Sequence, residues 1–116
     1  MQREALADIE AGAYNKAVSA LWFSMEALIR GLLLGENKTP PERAGRLISL
    51  ATNTMFRDLE NPTRLSRLLL SLYHRRRDVD HRKKIADKRY ALDTLAKYRE
   101  ALEMISKKYP VPRERF

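Results

Sequence analysis

Two histidines lie in one strongly basic segment, which is the part of the chain best suited to chemistry. His74 and His81 bracket three consecutive arginines, Arg75–Arg77. An imidazole is the side chain most able to move a proton near neutral pH. A guanidinium can hold a phosphate through two parallel hydrogen bonds and stabilise charge as it develops. Such a pair could cleave RNA without a metal: one group polarises the 2′-hydroxyl or protonates the leaving oxygen, and the other holds the phosphate.

Each of these residues also has a purely structural interpretation. His81 could be a solvated histidine of a basic helix, and His74 fits a surface or packing position. The arginines could form a solvated face in which Asp78, Asp80 and Asp87 pair with them, and each exposed pair would contribute about 0–1 kcal/mol. Tyr73 could orient the site or stack a base, or it could pack in the core. The sequence leaves both interpretations open.

The net charge of the chain is concentrated on the same segment. Lys and Arg number 23 against 15 Asp and Glu, a net charge of +8. From His74 to Arg89 there are eight Lys or Arg and three Asp. This surplus favours a polyanionic partner such as RNA, DNA, an acidic protein or an anionic lipid surface, although a surface rich in charges of both signs would also explain it. The residues that could follow a nucleic-acid backbone are Arg75, Arg82, Lys83, Lys84, Lys88 and Arg89.

Several other kinds of site are excluded by composition and spacing. The chain has no cysteine, so it has no disulfide, no cysteine-type zinc finger and no thiol nucleophile. It also has no glycine-rich phosphate loop, no paired-histidine zinc spacing and no serine in a nucleophile elbow. We therefore expect neither a metal nor a cofactor. The absence of a signal-peptide pattern after Met1 and of an uninterrupted apolar span predicts a cytoplasmic protein without a membrane segment.

Hydrophobic periodicity predicts helices throughout and no strands. The predicted helices cover Arg3–Ala11, Tyr14–Leu34, a third from Thr39 to about Thr52, a fourth from Pro62 into the basic segment, and a fifth from Asp87 to about Tyr109. Gly12 predicts the first break. Thr39-Pro-Pro-Glu42 and Asn61-Pro62 are typical of helix starts.

The fold class that follows is all-α, an antiparallel bundle of four or five helices in a single domain, residues 1–116. The second helix is apolar around most of its circumference, since Phe23, Ala27 and Leu34 lie outside its main apolar stripe. Such a helix is expected to be central, or to be covered by a second copy of the chain in a homodimer.

This layout resembles the HEPN superfamily of small helical domains. Its mark is an arginine, four to six residues and then a histidine, late in the long helix before the last one. The stretch Arg76-Arg-Asp-Val-Asp-His81 fits with four intervening residues. Tyr73 with Asp80-His81 is similar to a related archaeal pattern of tyrosine, arginine and an Asp-Tyr pair. Gly12-Ala-Tyr-Asn-Lys-Ala17 and the following helix are similar to the family's second helix.

The resemblance implies a homodimer in which Arg76 holds the scissile phosphate and His81 is the acid or base. Tyr73, Arg77, Asp78 and Asp80 would support them. Family members include metal-independent endoribonucleases, often toxins paired with a small nucleotidyltransferase antitoxin, and non-catalytic partner domains. The register of the arginine stays open, because Arg77 lies one turn before His81, whereas Arg76 is about 140° from it on a regular helix.

Overall fold

Five α-helices and no strands make up residues 2–111, the part of the chain that the computed structural model describes. The all-α prediction is therefore confirmed, and the helices pack as a bundle. The helices are α1 (Gln2–Glu10), α2 (Tyr14–Gly35), α3 (Ala44–Thr54), α4 (Pro62–Asp80) and α5 (Lys88–Ser106).

Helix α2 is the central element, and it packs against each of the other four helices. Its buried stripe runs through Val18, Trp22, Met25 and Ile29 and closes with Leu33. Leu28 and Leu32 border this stripe and are only partly buried. The described residues contain one helix long and apolar enough to cross a membrane, and it is α2. The core helix of a bundle meets the same criteria, and α2 takes that position here.

Local sequence signals explain most helix ends. Gly12 takes a left-handed φ of 80° between α1 and α2, as its predicted break requires. The Asn61 side chain accepts a hydrogen bond from the Arg64 N–H at 3.1 Å and caps α4, with Pro62 at the first helical position. The Asp87 side chain caps α5 in the same way, at 2.8 Å from the Tyr90 N–H. The Asp87 cap therefore fixes the point at which the basic loop between α4 and α5 ends.

The predicted start of the third helix is wrong. Helix α3 begins at Ala44, and its N-cap Arg43 makes no side-chain capping hydrogen bond. The Thr39-Pro-Pro-Glu42 stretch instead forms a loop whose carbonyls are bound from α2. Arg30 donates hydrogen bonds to the Pro41 carbonyl at 2.7 Å and the Glu42 carbonyl at 2.9 Å. These bonds satisfy two carbonyls that would have accepted from N–H groups four residues later if the helix had begun at Thr39.

Helix α5 ends at Ser106, three residues before the predicted limit, and Tyr109 returns to the bundle. The Tyr109 hydroxyl donates to Glu36 Oε1 at 2.5 Å, and its ring lies edge-on to Phe56. Lys108 also ties the end of α5 to the loop after α3, by donating hydrogen bonds to Asp58 Oδ1 and to the Met55 carbonyl. This end of the bundle is the one opposite the basic segment along α4.

Candidate nucleic-acid interface

The second half of α4 carries three consecutive arginines, and the packing of the helix sends them in three directions. Arg75 turns toward α5, Arg76 lies against α2, and Arg77 is exposed to solvent. Successive residues on a helix are rotated by about 100°, so one arginine run necessarily serves different surfaces. The three guanidinium groups therefore differ in their partners and in their access to a ligand.

Arg75 is bound into the fold. Its Nη1 donates to the hydroxyl of fully buried Thr94 at 2.9 Å, and its Nη2 lies 2.8 Å from Asp93 Oδ2. The guanidinium also lies 4.5 Å from the centre of the Tyr90 ring. Burial raises the pKa of the Tyr90 hydroxyl, an effect that the charge of Arg75 partly offsets. These contacts join α4 to α5. They use most of the hydrogen-bond donors with which Arg75 was expected to contact a nucleic-acid backbone.

Arg76 lies between an aromatic ring and a carboxylate. Its guanidinium is 5.0 Å from the centre of the Phe23 ring, and its Nε lies 2.8 Å from Asp80 Oδ2. That Nε is shielded from solvent but lacks hydrogen-bond geometry, so the contact with Asp80 is an ion pair rather than an aligned hydrogen bond. Asp80 Oδ1 in turn accepts from the Ser19 hydroxyl at 2.6 Å. Asp80 thus positions Arg76 against α2, which is a supporting role. Ser19 contributes to it, although nothing in the sequence around Ser19 predicted its contact with Asp80.

Tyr73 packs on the core from the same side of α4. Its ring centre is 5.3 Å from that of Trp22 and 5.5 Å from that of His74. The exposed guanidinium of Arg77, one turn later, lies 5.7 Å from the Tyr73 ring. Within the described part of the chain Arg77 has no ion pair, so its donors face water.

Helix α4 ends at the candidate histidine. His81 is the exposed C-cap residue, and its backbone N–H donates to the Arg77 carbonyl at 2.9 Å. Arg77 and His81 therefore lie one regular turn apart. The helix stays regular through Asp80, so it does not bend to bring Arg76 and His81 onto one face.

The loop after His81 keeps its cations in solvent. Its exposed basic residues are Arg82, Lys83 and Lys84, and the exposed Lys88 and Arg89 follow in the first turn of α5. The loop is held at both ends: the Lys83 and Lys84 N–H groups donate to the Asp78 carbonyl, and the Ala86 N–H donates to the Asn15 side chain at 2.8 Å. Lys84 Nζ also lies 5.1 Å from the centre of the Tyr90 ring. We call the exposed cations of this loop and of the first turn of α5, together with Arg77 and His81, the basic end.

Arg82 adopts a left-handed backbone, with φ at 56°. A non-glycine residue pays about 1 kcal/mol or more for this conformation, against a smaller entropic penalty for glycine. We expect Arg82→Gly to raise the free energy of unfolding by about 0.5–1 kcal/mol. Urea denaturation would measure it, with Lys83→Gly as the control because Lys83 does not have a positive φ. An equal change in both variants would contradict the strain at Arg82.

No group of three or more His, Cys, Asp or Glu side chains suited to a metal ion occurs among the described residues. Comparison with known proteins adds no assignment. No family model, curated protein or solved structure matches this chain.

Proposed function

We propose that this protein is a HEPN-type RNA-binding protein that cleaves RNA without a metal, acting as a homodimer. The observation that carries the proposal is the basic end itself. An exposed histidine lies one helical turn from an exposed, unpaired arginine, next to a loop of solvated cations. Cations that form no ion pair in the described structure are available to phosphates, and the histidine supplies the proton transfer that cleavage of a phosphodiester needs.

The chemistry would be an internal transesterification. The RNA 2′-oxygen attacks the adjacent phosphorus, the bond from phosphorus to the 5′-oxygen breaks, and a 2′,3′-cyclic phosphate and a 5′-hydroxyl result. His81 would take the proton from the 2′-hydroxyl or give one to the leaving 5′-oxygen, and water would carry the other proton. An arginine would hold the non-bridging oxygens, whose negative charge grows in the transition state.

The geometry within one protomer favours Arg77 as the arginine that works with His81. Its guanidinium is exposed and lies on the same face one turn away. Arg76 is neutralised by Asp80 and rests on Phe23, so a phosphate would have to displace Asp80 to reach it fully. Arg76 can enter the site when a second protomer covers Phe23 and rearranges the Arg76–Asp80 pair.

The exposed apolar face of α2 supports the homodimer. Phe23 is 47% exposed and Leu34 is 62% exposed, and Ala27 between them is also exposed. Residues separated by four and eleven positions share one face of a helix. A second copy would remove this apolar surface from water and bring two basic ends into one assembly, as the HEPN resemblance implies.

A second candidate function is a non-catalytic partner domain that docks a nucleotidyltransferase antitoxin or another acidic protein. The observation that favours it is Ile85, which is 82% exposed within the cationic loop. An apolar side chain surrounded by cations suits a partner with an acidic rim and a hydrophobic centre. This alternative predicts a stable protein complex and no RNA cleavage at any protein concentration.

RNA binding is tested by its salt dependence. We expect the triple variant Lys83→Ala, Lys84→Ala, Lys88→Ala to bind single-stranded RNA more weakly. The negative slope of log affinity against log salt should become shallower by about two. Fluorescence anisotropy from 50 to 200 mM salt, roughly the range over which phosphate contacts are weakened, would measure both quantities.

The control is the double variant Lys97→Ala, Lys107→Ala, which removes positive charge from the middle of α5 and from the turn after it. Its slope should stay near that of the wild type, since these lysines lie outside the basic end. Salt-independent binding, or equal losses in the two variants, would count against the basic end as the RNA-binding surface.

A further inference from the structure

A second set of unpaired arginines lies at the other end of α4. A surface cavity of about 340 Å³ opens between the last turn of α3, the loop after it and the first turn of α4. Its lining residues are Thr52, Asn53, Arg57, Pro62, Thr63, Ser66 and Arg67. The basic end is separate from it, because Arg67 and Arg77 are ten residues apart on one helix, a rise of about 15 Å.

The lining combines positive charge with neutral hydrogen-bonding groups. Arg57 and Arg67 are both exposed, and neither forms an ion pair within residues 2–111. No Asp or Glu is among the lining residues that the structure describes. The nearest acid in sequence is Asp58, and its carboxylate is bound by Lys108 Nζ at 2.7 Å. Arg57 interacts with Asp58 by longer-range electrostatic attraction, without an ion-pair contact. Both guanidinium forks are therefore free to bind an anion.

The Thr52 hydroxyl is a second and independent sign of a ligand. Its oxygen is shielded from solvent and has no hydrogen-bond partner within the described structure. A shielded hydroxyl without a partner costs about 1–3 kcal/mol, so a native structure normally satisfies it. A ligand oxygen in the cavity would do so once the side chains that cover this hydroxyl shift, because the hydroxyl can either donate or accept.

Helix α4 begins at this cavity and adds its own positive potential. Pro62 has no N–H, and the Arg64 N–H is already bonded to the Asn61 side chain, so neither residue offers a backbone donor to a ligand. The positive end of the dipole of this 19-residue helix still points toward the lining. The arginines and hydroxyls would then make the direct contacts, with the helix as a background field.

We propose that this cavity binds a phosphate group. Arg57 and Arg67 supply the bidentate donors, while Thr52, Thr63 and Ser66 supply hydroxyls. The phosphate could belong to a small phosphorylated molecule or to the backbone of an RNA that also contacts the basic end. Only the second source depends on the proposed function; phosphate binding itself does not.

Calorimetric titration with inorganic phosphate, at constant ionic strength maintained with chloride, tests the site. We expect saturable binding by the wild type and a loss of about tenfold or more in affinity in Arg67→Ala and in Arg57→Ala, because each removes a charge-assisted bidentate contact. Arg46→Ala removes an exposed arginine of α3 outside the cavity and should bind as the wild type does. Circular dichroism would establish that each variant is folded.

An absence of saturable binding, or an equal loss in Arg46→Ala, would overturn the proposal. RNA titration of the Arg57→Ala, Arg67→Ala double variant then identifies the source of the phosphate. A loss of about tenfold in RNA affinity assigns the site to the RNA backbone, and an unchanged RNA affinity assigns it to a small phosphorylated molecule. His81→Ala should bind phosphate normally, so a failure of the ribonuclease proposal would not be mistaken for a failure of this one.

Discussion

Substitution of His81 by alanine is expected to lower the rate of RNA cleavage at least 100-fold without changing the fold. A positioned general acid or base contributes about 10²–10⁴-fold to a rate. His81 is exposed, and among the described residues it is held by the backbone hydrogen bond from its N–H to the Arg77 carbonyl, which alanine keeps. Cleavage of mixed tRNA and mRNA by purified protein in EDTA would measure the effect.

His74→Ala is the matched control, because His74 is also exposed on α4, but its ring lies tilted against that of Tyr73. It should retain most of the activity. Arg76→Ala and Arg77→Ala, assayed side by side as separate variants, identify which of the two arginines acts with His81. Normal cleavage by His81→Ala would exclude the acid–base role, and no cleavage by a folded, RNA-binding wild type would favour the non-catalytic partner domain.

The largest expected effect on stability is at Trp22. This side chain is 1% exposed, and its ring packs against Tyr73 and so ties α2 to α4. We expect Trp22→Ala to lower the free energy of unfolding by about 3–5 kcal/mol, because it removes a large buried aromatic side chain and leaves a cavity. That is a large fraction of the roughly 5–15 kcal/mol typical of a domain, so urea denaturation should start at much lower concentrations.

Phe23→Ala is the control for Trp22→Ala, since the two aromatic residues are adjacent and differ in burial. Phe23 is 47% exposed, and its substitution should cost about 1 kcal/mol or less in a monomer. An equal loss at both positions would contradict the different burial of the two rings. If the loss at Phe23 grows with protein concentration, a second copy covers Phe23 in solution, as the proposed homodimer requires.

The helices themselves were largely predictable from the sequence. The apolar stripes of α4 and α5 contain Leu65, Leu69, Leu95 and Ile105, and all four are buried as their spacing indicates. Side-chain caps and glycine breaks act over three or four residues, so their signals are local and survive folding unchanged. The position of the basic end at the close of α4 followed from the same local pattern.

The start of α3 could not be predicted in this way. Thr39 and the two prolines form a plausible local cap, yet the carbonyls of Pro41 and Glu42 accept hydrogen bonds from Arg30, more than ten residues earlier. A long-range donor with two good acceptors outweighed a local preference of about 1 kcal/mol.

The sequence by itself determined the all-α class, the order of the helices and the concentration of charge around His81. Only the tertiary structure decided what each arginine of the basic segment does. Arg75 is bound to Thr94 and Asp93, Arg76 to Asp80, and Arg77 is left in solvent. Neighbours in the chain are about 100° apart on a helix, so their partners come from other helices whose positions no local pattern contains.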